Sequence, residues 1–310
     1  MVVYNQIASN IAKTWLWMAV FFALIIGLGY VFSQVYDAPG ILLVAASFSV
    51  IGSLVSYWFS DSIALGLAGA KEITEKRDFP ELWRIVENLT IAAGLPMPRL
   101  YVIDDMTPNA FATGRDPKHA AVAVTRGILQ VLDKDEMEGV IAHELSHVGN
   151  RDSLLMTAVV ILAGLVSVLS NMFLRLQWFG FGRRRNDREG GDSQAIVFLI
   201  GLVLAILAPL GAMLIQLAIS RKREFLADAN AVLITRFPDG LISALKKIDK
   251  TSVISPDAST AIDHLFFASP FGEDRNKKRA DIQGAPWYAT LFSTHPSIAQ
   301  RVAALEKMKG

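Results

Sequence analysis

The chain has no cysteine among its 310 residues, which excludes disulfides, thiolate metal ligands and a cysteine nucleophile together. Any metal it holds must be bound by His, Asp or Glu, and it has five histidines to offer. No G-x-x-x-x-G-K-[ST] occurs, so there is no phosphate cradle through which ATP could drive it. Lys and Arg number 30 against 29 Asp and Glu. That net charge of +1 argues neither for nor against nucleic acid, and no such partner is expected.

Charge is also missing locally. Four stretches, about Trp15 to Phe32, Ile41 to Phe59, Leu154 to Leu174 and Ala195 to Ile219, hold no charged residue. Each is long enough as a helix to cross a hydrocarbon core of roughly 30 Å. The hydrophobic share of 52% and the mean hydropathy of +0.38 are high for a soluble protein. The short link 34–40 makes the first two a tight helical hairpin, and the other two form a second one. A cleaved signal peptide is the competing reading of the first run, but the second run follows at once and no small-residue cleavage site stands out. The expected fold is therefore a mainly α membrane protein. Four transmembrane helices in two hairpins accompany an α+β polar domain with a small sheet.

The expected segments are 1–60 (first hairpin), 61–153 (first polar part), 154–219 (second hairpin) and 220–310 (second polar part). Lys13 before the first run, and Lys71, Lys76 and Arg77 after the second, place the polar parts in the cytoplasm. The arginine cluster at 183–188 opposes that placement, because a spanning second hairpin puts it outside. In the polar remainder, 81–93 reads as a helix ended by Gly94-Leu95-Pro96, and 99–103 and 119–125 read as strands. Asp133-Lys134-Asp135-Glu136 reads as a capping box opening the next helix, which can run nearly into the third apolar stretch.

That helix carries His143-Glu144-Leu145-Ser146-His147. A four-residue spacing puts both imidazoles on one helical face, where they can share one zinc ion, and Glu144 is placed to deprotonate a zinc-bound water. A third protein ligand is needed. The residues after His147 do not extend the motif to a third histidine, so the better candidate is Glu224, five positions beyond the fourth apolar run. Asp228, one turn later, faces the same way and can accept a hydrogen bond from a ligand histidine. The competing reading of Glu224 is a solvated charge beside Arg221, Lys222 and Arg223. If the flanking segments are helical, the ligands sit close to the membrane ends of their helices.

These residues, together with Asn109-Ala110-Phe111-Ala112 and Thr294-His295-Pro296-Ser297 with Arg301, resemble the integral-membrane zinc peptidases that include the HtpX heat-shock proteases and the CAAX prenyl proteases. The likeness to the HtpX group covers essentially the whole chain. It implies that the α+β polar domain is a zincin-like catalytic domain, that His143, His147 and Glu224 bind one zinc and that Glu144 is the general base. For the oxyanion donor His295 is the first candidate and Arg301 the second. Asn109 to Ala112 is expected to offer a strand edge to an extended substrate. The resemblance further implies a multi-pass protein of the bacterial inner membrane with its catalytic domain facing the cytoplasm. It would perform ATP-independent quality control on unfolded or misfolded membrane proteins. A prenyl-peptide protease and a catalytically silent membrane scaffold are the alternatives.

Overall fold

The structure is a computed structural model that describes residues 2–35, 37–159, 161–162, 164–165, 221–251, 267 and 296–309. The fourth apolar run, most of the third, the arginine cluster and His295 lie outside the described residues.

The N-terminal hairpin pairs α1 (Val2–Val35) with α2 (Gly40–Trp58). Both contain segments long and apolar enough to cross a membrane, Ile7–Gln34 and Gly40–Trp58. Met18, Phe21, Ile25 and Phe32 of α1 cluster with Leu162, so the hairpin packs on a helix, α7, that begins at residue 152. A short helix, α3 (Ser60–Leu67), leads from α2 into the polar part.

The sheet has four strands: β1 (Lys71–Glu72), β2 (Arg99–Ile103), β3 (Ala110–Thr113) and β4 (Ala121–Thr125), in the order β1-β2-β4-β3. β2 and β4 run parallel, and the outer pairs are antiparallel. β4 alternates alanine with valine, and both faces are buried. Val122 and Val124 join the main core, while Ala121 and Ala123 join a second cluster with Leu65, Phe111 and Met156. Small alanines let α3 and α7 lie close on that face. β3 ends the sheet, which leaves its outer edge facing the catalytic helices.

The main core lies between the sheet and α4 (Pro80–Ala93), α6 (Lys134–Gly149), α8 (Arg221–Thr235) and α9 (Pro238–Thr251), closed by α10 (Ile298–Glu306). α4 starts with Pro80 in its first turn and ends at Gly94, whose φ of +65° is the left-handed cap that glycine tolerates. Thr125 caps α5 (Arg126–Val131) by accepting from the Ile128 N–H.

The expected capping box is present: Asp133 accepts from the Glu136 N–H and the Glu136 carboxylate accepts from the Asp133 N–H. The end of α6 differs from expectation. The helix stops at Gly149, Arg151 takes φ +60°, and helix resumes at 152. Two long-range contacts hold the break: the Asn150 carbonyl accepts from the Asn10 amide, and the Arg151 guanidinium donates to the Arg115 carbonyl. The break turns Asp152 back toward His147.

Candidate metal centre

α6 lies against α9 more closely than ordinary side chains would allow. A Cβ on Gly139 would stand 2.8 Å from the Leu241 backbone, so glycine is needed there, one turn before His143. Wedged between α4, α8 and α9, the helix holds His143 and His147 at 1% and 5% exposure. Their Nε2 atoms face each other at 3.1 Å. Glu224 of α8 comes from the other side, Oε2 3.6 Å from His143 Nε2 and Oε1 3.5 Å from His147 Nε2. Three ligand atoms converging on one point, all buried, form a group able to hold a metal ion. Donors bound tetrahedrally at about 2.0–2.1 Å stand about 3.3 Å from one another. The observed separations fit that size.

The far sides of both imidazoles are held by carboxylates, the arrangement that fixes tautomer and ring orientation in metal sites. His143 Nδ1 lies 2.9 Å from Asp228 Oδ1, and His147 Nδ1 lies 3.3 Å from Asp152 Oδ2. Behind Asp228 stands Arg301, 1% exposed, whose Nε and Nη2 donate to the two carboxylate oxygens at 2.9 and 2.6 Å. Burial alone would raise the Asp228 pKa, but Arg301 and His143 outweigh it and hold it down at about 2. For His143, burial and Arg301 act downward, while hydrogen bonds to Asp228 and Glu224 and the Asp228 charge push it up, and the balance is upward.

Glu144 lies within the same pocket at 3% exposure. Burial is the main cause that pushes its carboxyl up to about 8, with Glu224 adding to it against His147, the Ala112 N–H and Arg301. A divalent cation in the pocket would act in the opposite sense and favour the carboxylate. The hydrogen bond from Ala112 shows which way β3 faces. Asn109 bonds inward to Thr125 of β4, through both its carbonyl and its N–H. Ala110 and Ala112 turn their peptide groups outward: the Ala110 carbonyl accepts from the Phe267 N–H at 2.8 Å, and the Ala112 N–H reaches Glu144. Phe267 sits with its ring edge-on to His143 at 5.0 Å and beneath the Arg301 guanidinium at 4.5 Å.

Of the residues singled out in the sequence, the structure brings together His143, Glu144, His147, Glu224, Asp228 and Arg301, with Asn109 to Ala112 alongside. Arg301 takes a different place from the one expected of an oxyanion donor. It stands on the Nδ1 side of His143, away from the converging Nε2 atoms, with its N–H groups committed to Asp228 and the Phe267 carbonyl. His295 lies outside the described residues, although the next residue but one, Ser297, caps α10 through a capping box. Sequence reasoning missed Asp152, five residues past His147, and Asn10, whose partners lie 140 and 142 positions away. A polar amide at the mouth of an apolar run was the available signal for Asn10.

The profile of peptidase family M48 matches residues 76–309. The chain belongs to that family. As an M48 member it is a metalloprotease, and the His-His-Glu group is its candidate metal site. Curated relatives agree over nearly the full length. "Protease HtpX homolog" of Caldanaerobacter subterraneus subsp. tengcongensis is 41% identical over 98% of this chain and 97% of its own. The proteins of the same description from Lactobacillus acidophilus and Pyrococcus furiosus are 44% and 42% identical, over 98% and 96% of this chain and 99% and 95% of theirs. Among solved structures, that of S. mikatae Ste24p superposes with a TM-score of 0.51 at 19% identity, covering 98% of this chain and 67% of its own. That likeness is one of fold.

Proposed function

We propose that this M48 member is a membrane-embedded zinc endopeptidase that cuts unfolded or misfolded membrane proteins at the cytoplasmic face of the bacterial inner membrane, without ATP. The observation that carries it is the junction of the buried His143–His147–Glu224 group with the outward edge of β3, beside an apolar hairpin. His143, His147 and Glu224 would hold the ion. Zinc, when bound, supplies positive charge that polarises a peptide carbonyl and acidifies water. Glu144 accepts the proton of the attacking water and delivers it to the leaving amide nitrogen. Asp228 and Asp152 keep each Nδ1 occupied, so both Nε2 lone pairs stay available to the metal. The Ala112 N–H keeps the Glu144 carboxylate aimed at the pocket.

A substrate backbone adding to the outer edge of β3 would take the Ala110 carbonyl from the Phe267 N–H and present its bonds in extended form. That requirement selects segments without stable structure, and the absence of a nucleotide motif is consistent with a protease that does not unfold its targets. His295 remains our first candidate for the oxyanion donor, since Arg301 is committed elsewhere. The first two apolar helices, with a second hairpin proposed over 154–219, would hold this site at the bilayer surface.

The test is turnover of an unfolded protein by detergent-purified enzyme and by Glu144→Gln, each loaded with zinc. Wild type should cut, chelation should stop it, and the variant should be slower by about 10²–10⁴-fold. Equal inactivity of both zinc-loaded proteins on varied substrates would instead favour a silent scaffold. Preference for a prenylated C-terminal peptide over unfolded protein would overturn the substrate assignment alone.

A further inference from the structure

Asn10 belongs to α1, five positions before the apolar run begins, yet it is 2% exposed and ends at the metal centre. Its Nδ2 donates to Asp152 Oδ1 at 2.6 Å and to the Asn150 carbonyl at 2.9 Å. The other oxygen of Asp152 is the one that faces His147 Nδ1. Both partners of Asn10 present oxygen acceptors, so the amide turns its NH2 group to them, and its two hydrogens match two acceptors. Neither a hydroxyl nor a carboxylate could fill the position in that way. The Thr14 hydroxyl donates to the Asn10 carbonyl at 2.9 Å, which ties this turn of α1 to itself. Arg223 adds positive charge 3.5 Å from the same Asp152 oxygen.

From this chain of contacts we infer that Asn10 is a positioning residue for the metal ligand His147. It fixes the Asp152 carboxylate, and with it the imidazole, and it also pins the last turn of α6 through Asn150. The N-terminal hairpin is then a working part of the centre as well as an anchor. Asn10 lies outside the 76–309 stretch that matches the family profile, so the catalytic segment as the family defines it would be incomplete without α1. The inference rests on the reading of His143, His147 and Glu224 as the metal site.

The experiment is a double-mutant cycle on the full-length protein in detergent, with Asn10→Ala, Asn10→Ser, Asp152→Ala and the pair Asn10→Ala/Asp152→Ala. Zinc affinity is read by competition with a chromophoric chelator, the cobalt-loaded visible spectrum reports ligand geometry, and thermal melting is followed without metal. Asn10→Ala should weaken zinc binding by about 10- to 100-fold and alter the cobalt spectrum. Asn10→Ser, keeping one donor, should fall between it and wild type. The double variant should lose little more than Asp152→Ala alone, because both act on one imidazole. Zinc affinity of Asn10→Ala within about twofold of wild type, or a lowered metal-free melting temperature with an unchanged cobalt spectrum, would overturn the inference and leave Asn10 as a packing tie. Fully additive losses in the double variant would overturn it too. If wild type itself binds no stoichiometric zinc, the metal-site reading fails first.

Discussion

α2 and α9 hide opposite kinds of side chain from their surroundings. α9 buries Leu241, Ile242, Leu245 and Ile248 and exposes Lys246, Asp249 and Lys250, the pattern of a helix at an aqueous surface. α2 buries Ser49, Gly52 and Ser56 and exposes Leu43, Val44, Ile51 and Leu54. Its hidden side uses small residues that let helices approach, with the Ser56 hydroxyl donating to the Ala158 carbonyl at 3.0 Å. The same amino acids change sides because a different solvent is in charge. Exposed leucine is costly in water and neutral in hydrocarbon, so the contrast supports a lipid setting for the hairpin and an aqueous one for the catalytic core.

Truncating one leucine in each helix sharpens this contrast most. Leu245→Ala, in the closed core, should cost about 2–5 kcal/mol of stability. Leu54→Ala, on the outward face of α2, should stay within about 0.5 kcal/mol in detergent, as followed by denaturation of the purified proteins. Equal costs would erase the distinction. A smaller effect is expected when the buried seam is enlarged: Gly52→Leu adds bulk where even a Cβ would lie 3.1 Å from Leu165 Cδ1. It should destabilise by about 1–3 kcal/mol, the reverse of what adding a leucine to a lipid-facing position would do. The helices would then differ in which size of residue each face rejects.

The last contrast concerns pH and belongs to the aqueous part alone. The folded metal-free protein holds Glu144 protonated up to about 8, above its ordinary value. The native state therefore binds more protons than the unfolded one in between, and stability should fall as pH rises from about 4.5 toward 8. Glu144→Gln should flatten that slope in metal-free melting curves, and zinc should flatten it in wild type by favouring the carboxylate. Asp228 acts with the opposite sign: held down at about 2, it contributes stability above its ordinary value that is lost as pH falls through 2.

How far the sequence was legible follows the distance over which each feature is decided. β2 fills 99–103 as read, and the box at Asp133 and Glu136 closes as read, because strand alternation and helix capping are settled within a few residues. His143, Glu144 and His147 share one helix, so their spacing alone placed them. Glu224 and Asp228 came within reach through the separations that helices impose on either side of an apolar pair. Asp152 was hidden because its orientation depends on the break at Asn150 and Arg151, which an uninterrupted polar-to-apolar transition does not announce. Asn10 and Phe267 needed tertiary structure, since nothing near either residue in the chain refers to a metal. Arg301 was singled out in the sequence as an oxyanion candidate, but one dimension of text could not say on which side of His143 it would stand.

The break after Gly149 also has a mechanical meaning. An unbroken helix through 134–159 would be a stiff lever, and any tilt of its apolar end would swing the ligand histidines. With Arg151 in a left-handed turn, the rod becomes a jointed arm. The two limbs meet at a bend moored by one amide from the first helix and one guanidinium resting on the Arg115 carbonyl.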